Sequence, residues 1–169
     1  HFSTGVNQNL MLQPRNLVVV EAQSEVQIIE RHQSLSDTAV LTNVVTEIFT
    51  HKGAQVDYYK IQNDLEEASL VDSTYIHQEK HSHAKVHTFS FGGQFIRNNL
   101  HFYHKDQAIQ STMKGITLVE GKQLVDHHTL VHHAHPHSES HQEYKGIYDG
   151  QSTGVFNLSL IHISEPTRH

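Results

Sequence analysis

The 169-residue sequence contains no cysteine and no tryptophan, and it has only three prolines. Without cysteine the chain has no disulfide framework and cannot build an all-thiolate metal centre. No apolar run approaches the roughly 20 residues that a membrane-spanning helix needs, and residues 1–6 lack the basic start and apolar stretch of a signal peptide. We therefore expect a cytoplasmic chain with no membrane partner. Its first residue is His1 rather than methionine, which indicates a fragment of a larger protein.

The charge of this chain depends on pH because histidine is unusually frequent. Its 18 histidines outnumber the 12 lysines and arginines together, and 18 acidic residues give a net charge of −6 while histidine is neutral. An acidic balance with no basic run argues against a nucleic-acid partner. Since histidine titrates near neutral pH, acid would convert this acidic chain to a basic one.

Short β-prone segments separated by polar turns dominate the sequence. Their Val, Ile, Tyr, Phe and Thr content favours strands, and residues 86–91 alternate polar and apolar side chains as a half-buried strand does. Residues 62–71 show no continued 3.6-residue stripe, so we interpret them as a loop between strands rather than a helix. The expected strand segments are 17–21, 26–29, 39–49, 56–61, 85–91, 95–103, 116–120 and 124–133.

A longer repeat distinguishes between the possible all-β architectures. Val26, Val56 and Val86 each follow a polar turn at intervals of thirty residues, and Val125 and Val155 repeat that interval. The interval does not fit between Val86 and Val125. Self-similarity at 20–50 residues is typical of stacked repeats, and each period here holds two strand–turn segments. We therefore predict an all-β fold, a β-helix of stacked strands, with a β-sandwich as the alternative.

Three segments carry a family resemblance. They are 56–63 (VDYYKIQN), 91–100 (FGGQFIRNNL) and 125–157, which includes Tyr144-Lys145-Gly146-Ile147, Asp149-Gly150 and Gly154-Val155-Phe156-Asn157. These segments are similar to the SufB/SufD family, and they favour its SufD branch. The resemblance covers essentially all of residues 1–157.

The resemblance implies that residues 1–157 are a SufD-like β-helix core domain, a fragment without the family's N-terminal and C-terminal helical regions. It further implies a non-catalytic scaffold subunit of a SufBCD complex that supports iron–sulfur cluster assembly. The implied partners are a SufB-like paralogue and a SufC-like ATPase. The family's cluster-assembly residues lie beyond the end of this chain, so we expect no cofactor in this fragment. Many relatives have a cysteine where Ser138 stands here, which excludes a thiolate role at that position.

Residues 158–169, LSLIHISEPTRH, resemble a translated sequencing adapter. We therefore treat them as a non-native tail and expect the natural sequence to stop near Asn157. A tail that was never selected with the core should pack poorly, and its removal should leave thermal stability unchanged or improved. Its apolar residues Leu160, Ile161 and Ile163 offer one exception, because they can imitate a lost strand at the solenoid end.

Seven histidines between His127 and His141 form the densest group of potential metal ligands. In a strand, His133, His135 and His137 share one face at i, i+2 and i+4, and neutral imidazole binds first-row metals. These three are the metal-site candidates, although Pro136 would distort a strand. The alternative is that they are surface groups or hydrogen-bonded fillers of the solenoid wall.

The side of strand 124–133 that points into the solenoid decides which of these histidines are buried. We expect Val125, His127, Thr129, Val131 and His133 to point inward, because β-branched residues dominate that side. Buried His127 and His133 then need hydrogen-bond partners.

Catalytic patterns are weak in this sequence. Asp126, His127 and Ser138 are hydrolase residue types, but no G-x-S-x-G turn is present and strand neighbours point to opposite faces. No phosphate-binding P-loop occurs either. We therefore predict a scaffold protein rather than an enzyme. Two alternatives remain: a stand-alone histidine-rich metal-binding β-solenoid, and a β-helical or cupin-like metalloenzyme that uses the histidine group.

Overall fold

The computed structural model describes residues 8–34, 38–134 and 137–162. Within these ranges the chain forms twelve strands and no helix, so none of the described segments is a helix able to cross a membrane. The strands are β1 (Leu10–Leu12), β2 (Arg15–Val20), β3 (Glu25–His32), β4 (Val40–Thr50), β5 (Gln55–Asp64), β6 (Ala68–Gln78), β7 (His83–Gly92), β8 (Phe95–His104), β9 (Gln110–Val119), β10 (Leu124–His133), β11 (Glu139–Tyr148) and β12 (Thr153–His162).

The strands form two parallel sheets that wind as a solenoid. The first sheet contains β4, β6, β8, β10 and β12 in that order, with β1 and β2 both paired to β4. The second sheet contains β3, β5, β7, β9 and β11. From β2 onward successive strands alternate between the sheets, so each of these turns of the solenoid contributes one strand to each sheet. This architecture confirms the β-helix, and the parallel pairing excludes the alternative β-sandwich, whose sheets are antiparallel.

The repeat is real, but its period is not a fixed thirty residues. Val26 does lie opposite Val56, as predicted. Val86 instead pairs with Tyr58, at an offset of 28 residues, and Val155 lies opposite Asp126, at an offset of 29. From β4 onward the strands keep nearly constant lengths of 10 or 11 residues, whereas the connections vary, from two residues between β7 and β8 to seven between β3 and β4. Val86 on β7 and Val125 on β10 belong to different sheets, so no repeat interval relates them.

Apolar side chains stack in columns inside the solenoid, in the space between the two sheets that we call the lumen. Strand residues alternate between the lumen and the outside, as the burial of β6 and β8 shows. One column consists of Ile48, Ile76, Phe102 and Val131, which occupy successive turns and are fully buried. Each such side chain contributes about 1.5–3 kcal/mol to the free energy of folding. The lumen is therefore the hydrophobic core of the domain.

Glycines make the tight corner between β7 and β8. Gly92 and Gly93 have φ angles of 76° and 77°, which other residues rarely adopt. A Cβ atom on Gly92 would also lie 2.4 Å from the backbone oxygen of Asp64 on the turn below. The Gly92-Gly93 signal thus marks both a left-handed corner and a close approach between turns.

Candidate functional site: the polar lumen and the open end

Strand β10 carries buried histidines on the predicted side. Val125, His127, Thr129, Val131 and His133 face the lumen, and all five are buried. The Nδ1 atom of His127 accepts a hydrogen bond from the side-chain amide of Asn98 at 3.3 Å. Its Nε2 atom therefore carries the proton, which it donates to Oγ1 of Thr117 at 3.0 Å. Burial, with a smaller effect of the Lys60 charge, lowers the pKa of His127 to about 4, so it is neutral at pH 7.

A second buried histidine network crosses three turns of the lumen. The Ser111 hydroxyl donates to Oε1 of Gln78 at 2.6 Å, so its oxygen accepts from Nε2–H of His104, also at 2.6 Å. The Nδ1 atom of His104 then has a lone pair, which accepts a hydrogen bond from Nδ1–H of His133 at 3.2 Å. Burial, together with the neighbouring His133, lowers the pKa of His104 to about 4. Both expected requirements are met: His127 and His133 are buried and hydrogen-bonded.

Two of the three predicted metal candidates, His133 and His137, do not share one strand face. His133 is the last residue of β10 and points into the lumen. His137 lies in the following turn with a φ of 63° and is exposed, while His135 falls outside the described residues. The expected strand from His133 to His137 is therefore wrong, because β10 ends at His133 and β11 begins at Glu139.

The hydrolase residue types are also separated. Asp126 points outward, where its carboxylate contacts Arg97 at 3.3 Å and Nε2 of His128 at 2.8 Å. His127 points inward, on the other side of the sheet. Ser138 lies in the turn before β11, where its hydroxyl donates to the backbone oxygen of Asp106 at 3.4 Å. These residues therefore form an outer-face ion pair, a lumen hydrogen bond and a turn contact, not a catalytic triad.

The structure also brings together three potential ligands that sequence reasoning missed. Glu30 and His32 on β3 meet Asp72 on β6, and one ligand atom from each lies within 4.8 Å of the other two. Glu30 and His32 stand two residues apart, so their common face was readable from the sequence. Asp72 lies 40 residues further along the chain on the other sheet. Its place in the group follows from the solenoid winding, which the irregular period hides.

Two basic side chains and two carboxylates pair with each other in this group. Nε2 of His32 lies 2.6 Å from Oε1 of Glu30, and Nζ of Lys60 lies 2.7 Å from Oδ2 of Asp72. Burial alone would raise the pKa of Glu30, but hydrogen bonds from His32 and Tyr58 outweigh it and lower the pKa. Burial likewise works against the charged form of His32, but the hydrogen bond to Glu30 raises its pKa above the usual value. The ionised forms are therefore favoured in both partners.

Aromatic and imidazole rings stack in ladders on the outer face of the first sheet. Phe49, His77 and Tyr103 lie on successive turns, with ring centroids 4.6 and 5.0 Å apart and nearly parallel planes. Tyr75 and His101 form a neighbouring stack at 4.9 Å. Burial under the adjacent rings lowers the pKa of both histidines. His77 and His101 are thus held in ring stacks on the outer surface of the solenoid wall.

The last turn, formed by β11 and β12, is the open end of the solenoid. In the part of the chain that the structure describes, each of these strands pairs with one neighbour only. Large apolar side chains are exposed here, and they are Ile147, Tyr148, Val155, Phe156, Leu158, Leu160 and Ile161. A cavity of about 440 Å³ opens between the two strands, and His127 and Thr117 lie among the residues that line it. The end of the lumen is therefore open and largely apolar at its rim.

Tyr144 lies across this opening. Its ring lies over Gly115 on the turn below, where a Cβ atom would lie 2.2 Å from Cδ1 of the tyrosine. The ring also lies 5.1 Å from those of His127 and Phe156. Gly115 thus makes room for an aromatic side chain that covers the last polar residues of the lumen.

Strand β12 continues through the boundary predicted at Asn157. It pairs with β10 without a break from Thr153 to His162. Leu160 and Ile161 extend the strand, as the exception for a lost strand anticipated, whereas Ile163 lies outside the described residues. The exposed fractions of Leu158 and Leu160, 42% and 50%, resemble the 50% of Phe156 before the boundary.

Comparisons with known proteins agree with this architecture. The family described as SUF system FeS cluster assembly, SufBD core domain, matches residues 2–166. A Synechocystis protein described as an iron–sulfur cluster assembly SufBD family protein is 30% identical over 160 residues, which are 90% of this chain and 35% of that protein. The iron–sulfur cluster assembly protein SufD of Plasmodium berghei is 22% identical over 149 residues, 88% of this chain and 11% of that protein. No solved structure matches significantly.

The chain spans about a third of one relative and about a tenth of the other. The match nevertheless covers nearly every turn of the solenoid, and the name of the second relative agrees with the SufD branch. The chain therefore belongs to the SufB/SufD family of iron–sulfur cluster assembly and contains its core domain.

Proposed function

We propose that this chain is the core of a non-catalytic scaffold subunit that works with a SufB-like paralogue and a SufC-like ATPase in the cytoplasm. The open end is the observation that supports this proposal. Within the residues that the structure describes, each of its two strands has one unpaired edge, and such edges readily pair with strands of another chain. The iron–sulfur cluster is then the cargo of the assembled complex, and this cysteine-free segment contributes no thiolate ligand to it.

The apolar columns of the lumen end at exposed side chains on β12. Phe156, Leu158 and Leu160 stand in register above His127, Thr129 and Val131. Their half-exposed side chains are the upper surface of the core, and a further layer would bury them. Covering each one contributes up to about 1.5–3 kcal/mol. A partner that adds strands here gains both hydrogen bonds and apolar burial.

The interior of the chain supports a scaffold rather than an enzyme. The lumen histidines His127 and His104 are neutral at pH 7 and donate hydrogen bonds to threonine and serine hydroxyls. The outward Asp126 is occupied by Arg97. These polar groups fix the alignment of successive turns, which is a structural task.

Co-purification tests the proposal. The full chain, tagged, is co-expressed with SufB-like and SufC-like proteins, and the captured partners are quantified. We expect Phe156→Glu and Leu160→Glu to reduce capture of the SufB-like protein at least about tenfold, because each places a charge in a desolvated interface. Ile29→Glu is the control, since Ile29 is also apolar and exposed, at 66% against 50% for Phe156 and Leu160, but lies on the outer face of β3. Equal capture by all variants would refute the proposed interface.

A stand-alone metal-binding solenoid is the second candidate. Its original basis was His133, His135 and His137, and the structure separates His133 from His137. The group that remains in its favour is Glu30, His32 and Asp72, which lies at the opposite end of the solenoid. A metal ion at that position is compatible with the scaffold role, so it does not require a separate function for the whole chain.

A further inference from the structure

The Glu30–His32–Asp72 cluster lies at the first turns of the lumen. Strand β3 is the first strand of the second sheet, and within the described residues it pairs on one side only, with β5. The side chains of Glu30 and His32 retain 18% exposure, whereas that of Asp72 is buried, at 2%. An ion can therefore reach the cluster from solvent at this mouth, while the far side of the site is closed by the core.

Neighbouring side chains already hold the two carboxylates from behind. The Tyr58 hydroxyl donates to Oε2 of Glu30 at 2.5 Å, and the Thr74 hydroxyl donates to Oδ1 of Asp72 at 3.1 Å. The other oxygen of each carboxylate faces a cation instead: Oε1 of Glu30 faces His32, and Oδ2 of Asp72 faces Lys60. Hydrogen bonds to the distal oxygens are the support that metal-ligating carboxylates have in proteins.

Lys60 fills the position of a cation in this group. Its ammonium group contacts both Asp72 and the Thr74 hydroxyl, at 2.7 and 2.8 Å, and its side chain is almost fully buried. It also lies 5.8 Å from the centre of the Tyr58 ring. A divalent ion that enters the site can replace Lys60 as the partner of Oδ2 of Asp72. The ammonium group of Lys60 can be displaced because it keeps its contacts with Thr74 and with the Tyr58 ring.

We propose that Glu30, His32 and Asp72 form a binding site for a divalent first-row transition ion, which Lys60 neutralises when the ion is absent. One imidazole and two carboxylates are a donor set that suits Zn²⁺, Mn²⁺ and Fe²⁺. Metal–ligand bonds of about 2.0–2.2 Å place tetrahedral donors about 3.3 Å apart. The ligand atoms of the three residues now lie up to 4.8 Å apart, so they must move closer together to bind one ion. The partly exposed side chains of Glu30 and His32 can make this movement. The site is independent of the scaffold proposal.

Metal titration of the full chain tests the site, with Zn²⁺ followed calorimetrically and Co²⁺ followed by its visible absorption. The 18 histidines create a background of weak binding, so a matched control is essential. His51 provides it, because its Nδ1 also contacts a carboxylate, Glu79 at 3.1 Å, but on the surface. We expect one saturable site in the unmodified chain and in His51→Asn. In His32→Asn its affinity should fall at least about tenfold.

Lys60→Met and Glu30→Gln make the test sharper. Lys60→Met removes the competing cation, so it should increase Zn²⁺ affinity, and Zn²⁺ should raise its melting temperature more than that of the unmodified chain. Glu30→Gln should weaken binding as His32→Asn does. If Lys60→Met fails to fold, the comparison between His32→Asn and His51→Asn still decides the matter. Equal affinity in those two variants would show that the chain binds metal only adventitiously, and would overturn the proposal.

Discussion

His133 and His104 lie one turn apart in the lumen and meet through their Nδ1 atoms at 3.2 Å, with ring planes at 88° to each other. Two ring nitrogens at this distance need one proton and one lone pair. Ser111 and Gln78 fix the proton on Nε2 of His104, so the lone pair belongs to His104 and the shared proton to His133. Protonation of His104 at Nδ1 would place two N–H groups against each other and break the contact.

Acid should therefore destabilise the fold well above the pH at which carboxylates titrate. The pKa values of His104 and His127 fall from 6.5 in the unfolded chain to about 4 in the folded one. Between pH 6.5 and 4 the unfolded chain binds protons that the folded chain does not, so stability falls as pH falls. Each histidine contributes up to about 1.4 kcal/mol per pH unit in this window. Urea unfolding at a series of pH values measures the slope.

One substitution isolates the contribution of a lumen histidine to this pH dependence. His127→Asn removes one of the groups and should flatten the slope of stability against pH, whatever its effect on stability at pH 7. His32 acts in the opposite direction, since its raised pKa stabilises the fold below pH 6.5, and this stabilisation is lost as pH rises through its folded value. A flat profile between pH 6.5 and 4.5 in the unmodified chain would contradict the neutral state of the lumen histidines.

The buried Lys60–Asp72 pair should respond to mutation far more strongly than an exposed pair. Lys60→Ala leaves Asp72 charged and desolvated in the lumen, and the loss of one partner of a buried pair costs about 3–5 kcal/mol. Lys85 and Asp57 form the matched control at 3.4 Å, with side chains 47% and 30% exposed, so Lys85→Ala should cost no more than about 1 kcal/mol. Denaturant unfolding measures both. Similar losses in the two variants would mean that Lys60 contributes no more than a surface charge.

Gly115 should be intolerant of even a methyl group. A Cβ atom there would overlap the ring of Tyr144, so Gly115→Ala should push the tyrosine out of the lumen and cost about 1–3 kcal/mol. The double variant is the control: in a Tyr144→Ala background, Gly115→Ala should be nearly neutral, because the group it displaces is gone. Equal costs in both backgrounds would assign the effect to the backbone instead.

Two truncations test the boundary proposed at Asn157. The sequence led us to expect no loss when residues 158–169 are removed, but in the structure Leu158–His162 pair with β10 and lie over the buried Val131. We now expect removal of residues 158–169 to lower the melting temperature. Removal of residues 163–169 alone should leave it unchanged. If the longer truncation is as stable as the full chain, the last five residues of β12 add nothing to the fold.

The β-helix was predictable because its causes are local. Alternating side chains identify strands, and polar turns at intervals near thirty residues identify turns of a solenoid. The inward side of β10 was predicted correctly from its β-branched residues. The exact period was not predictable, because connections of different length shift the later turns by one to four residues from an offset of thirty. Val86 therefore lies opposite Tyr58 rather than Val56.

The hydrogen-bond partners of the polar lumen residues could not be assigned without the register of the strands. The need of His127 and His133 for partners was clear, but Asn98 and His104 become those partners only at an offset of 29 residues. The Glu30–His32–Asp72 cluster joins the two sheets across the lumen, and no spacing along the chain marks such a contact. The metal site predicted between His127 and His141 rested on histidine content, and composition does not tell where a strand ends.

The winding of the chain between two sheets determines the order in which the molecule unfolds. Each strand hydrogen-bonds only to the strands one turn before and one turn after it, so the solenoid behaves as a linear chain of nearest neighbours. Loss of an end turn breaks one interface on each sheet, whereas loss of an internal turn such as β7 with β8 breaks two. Unfolding should therefore begin at the terminal turns and progress inward. A partner that binds the open end would also stabilise turns with which it makes no contact.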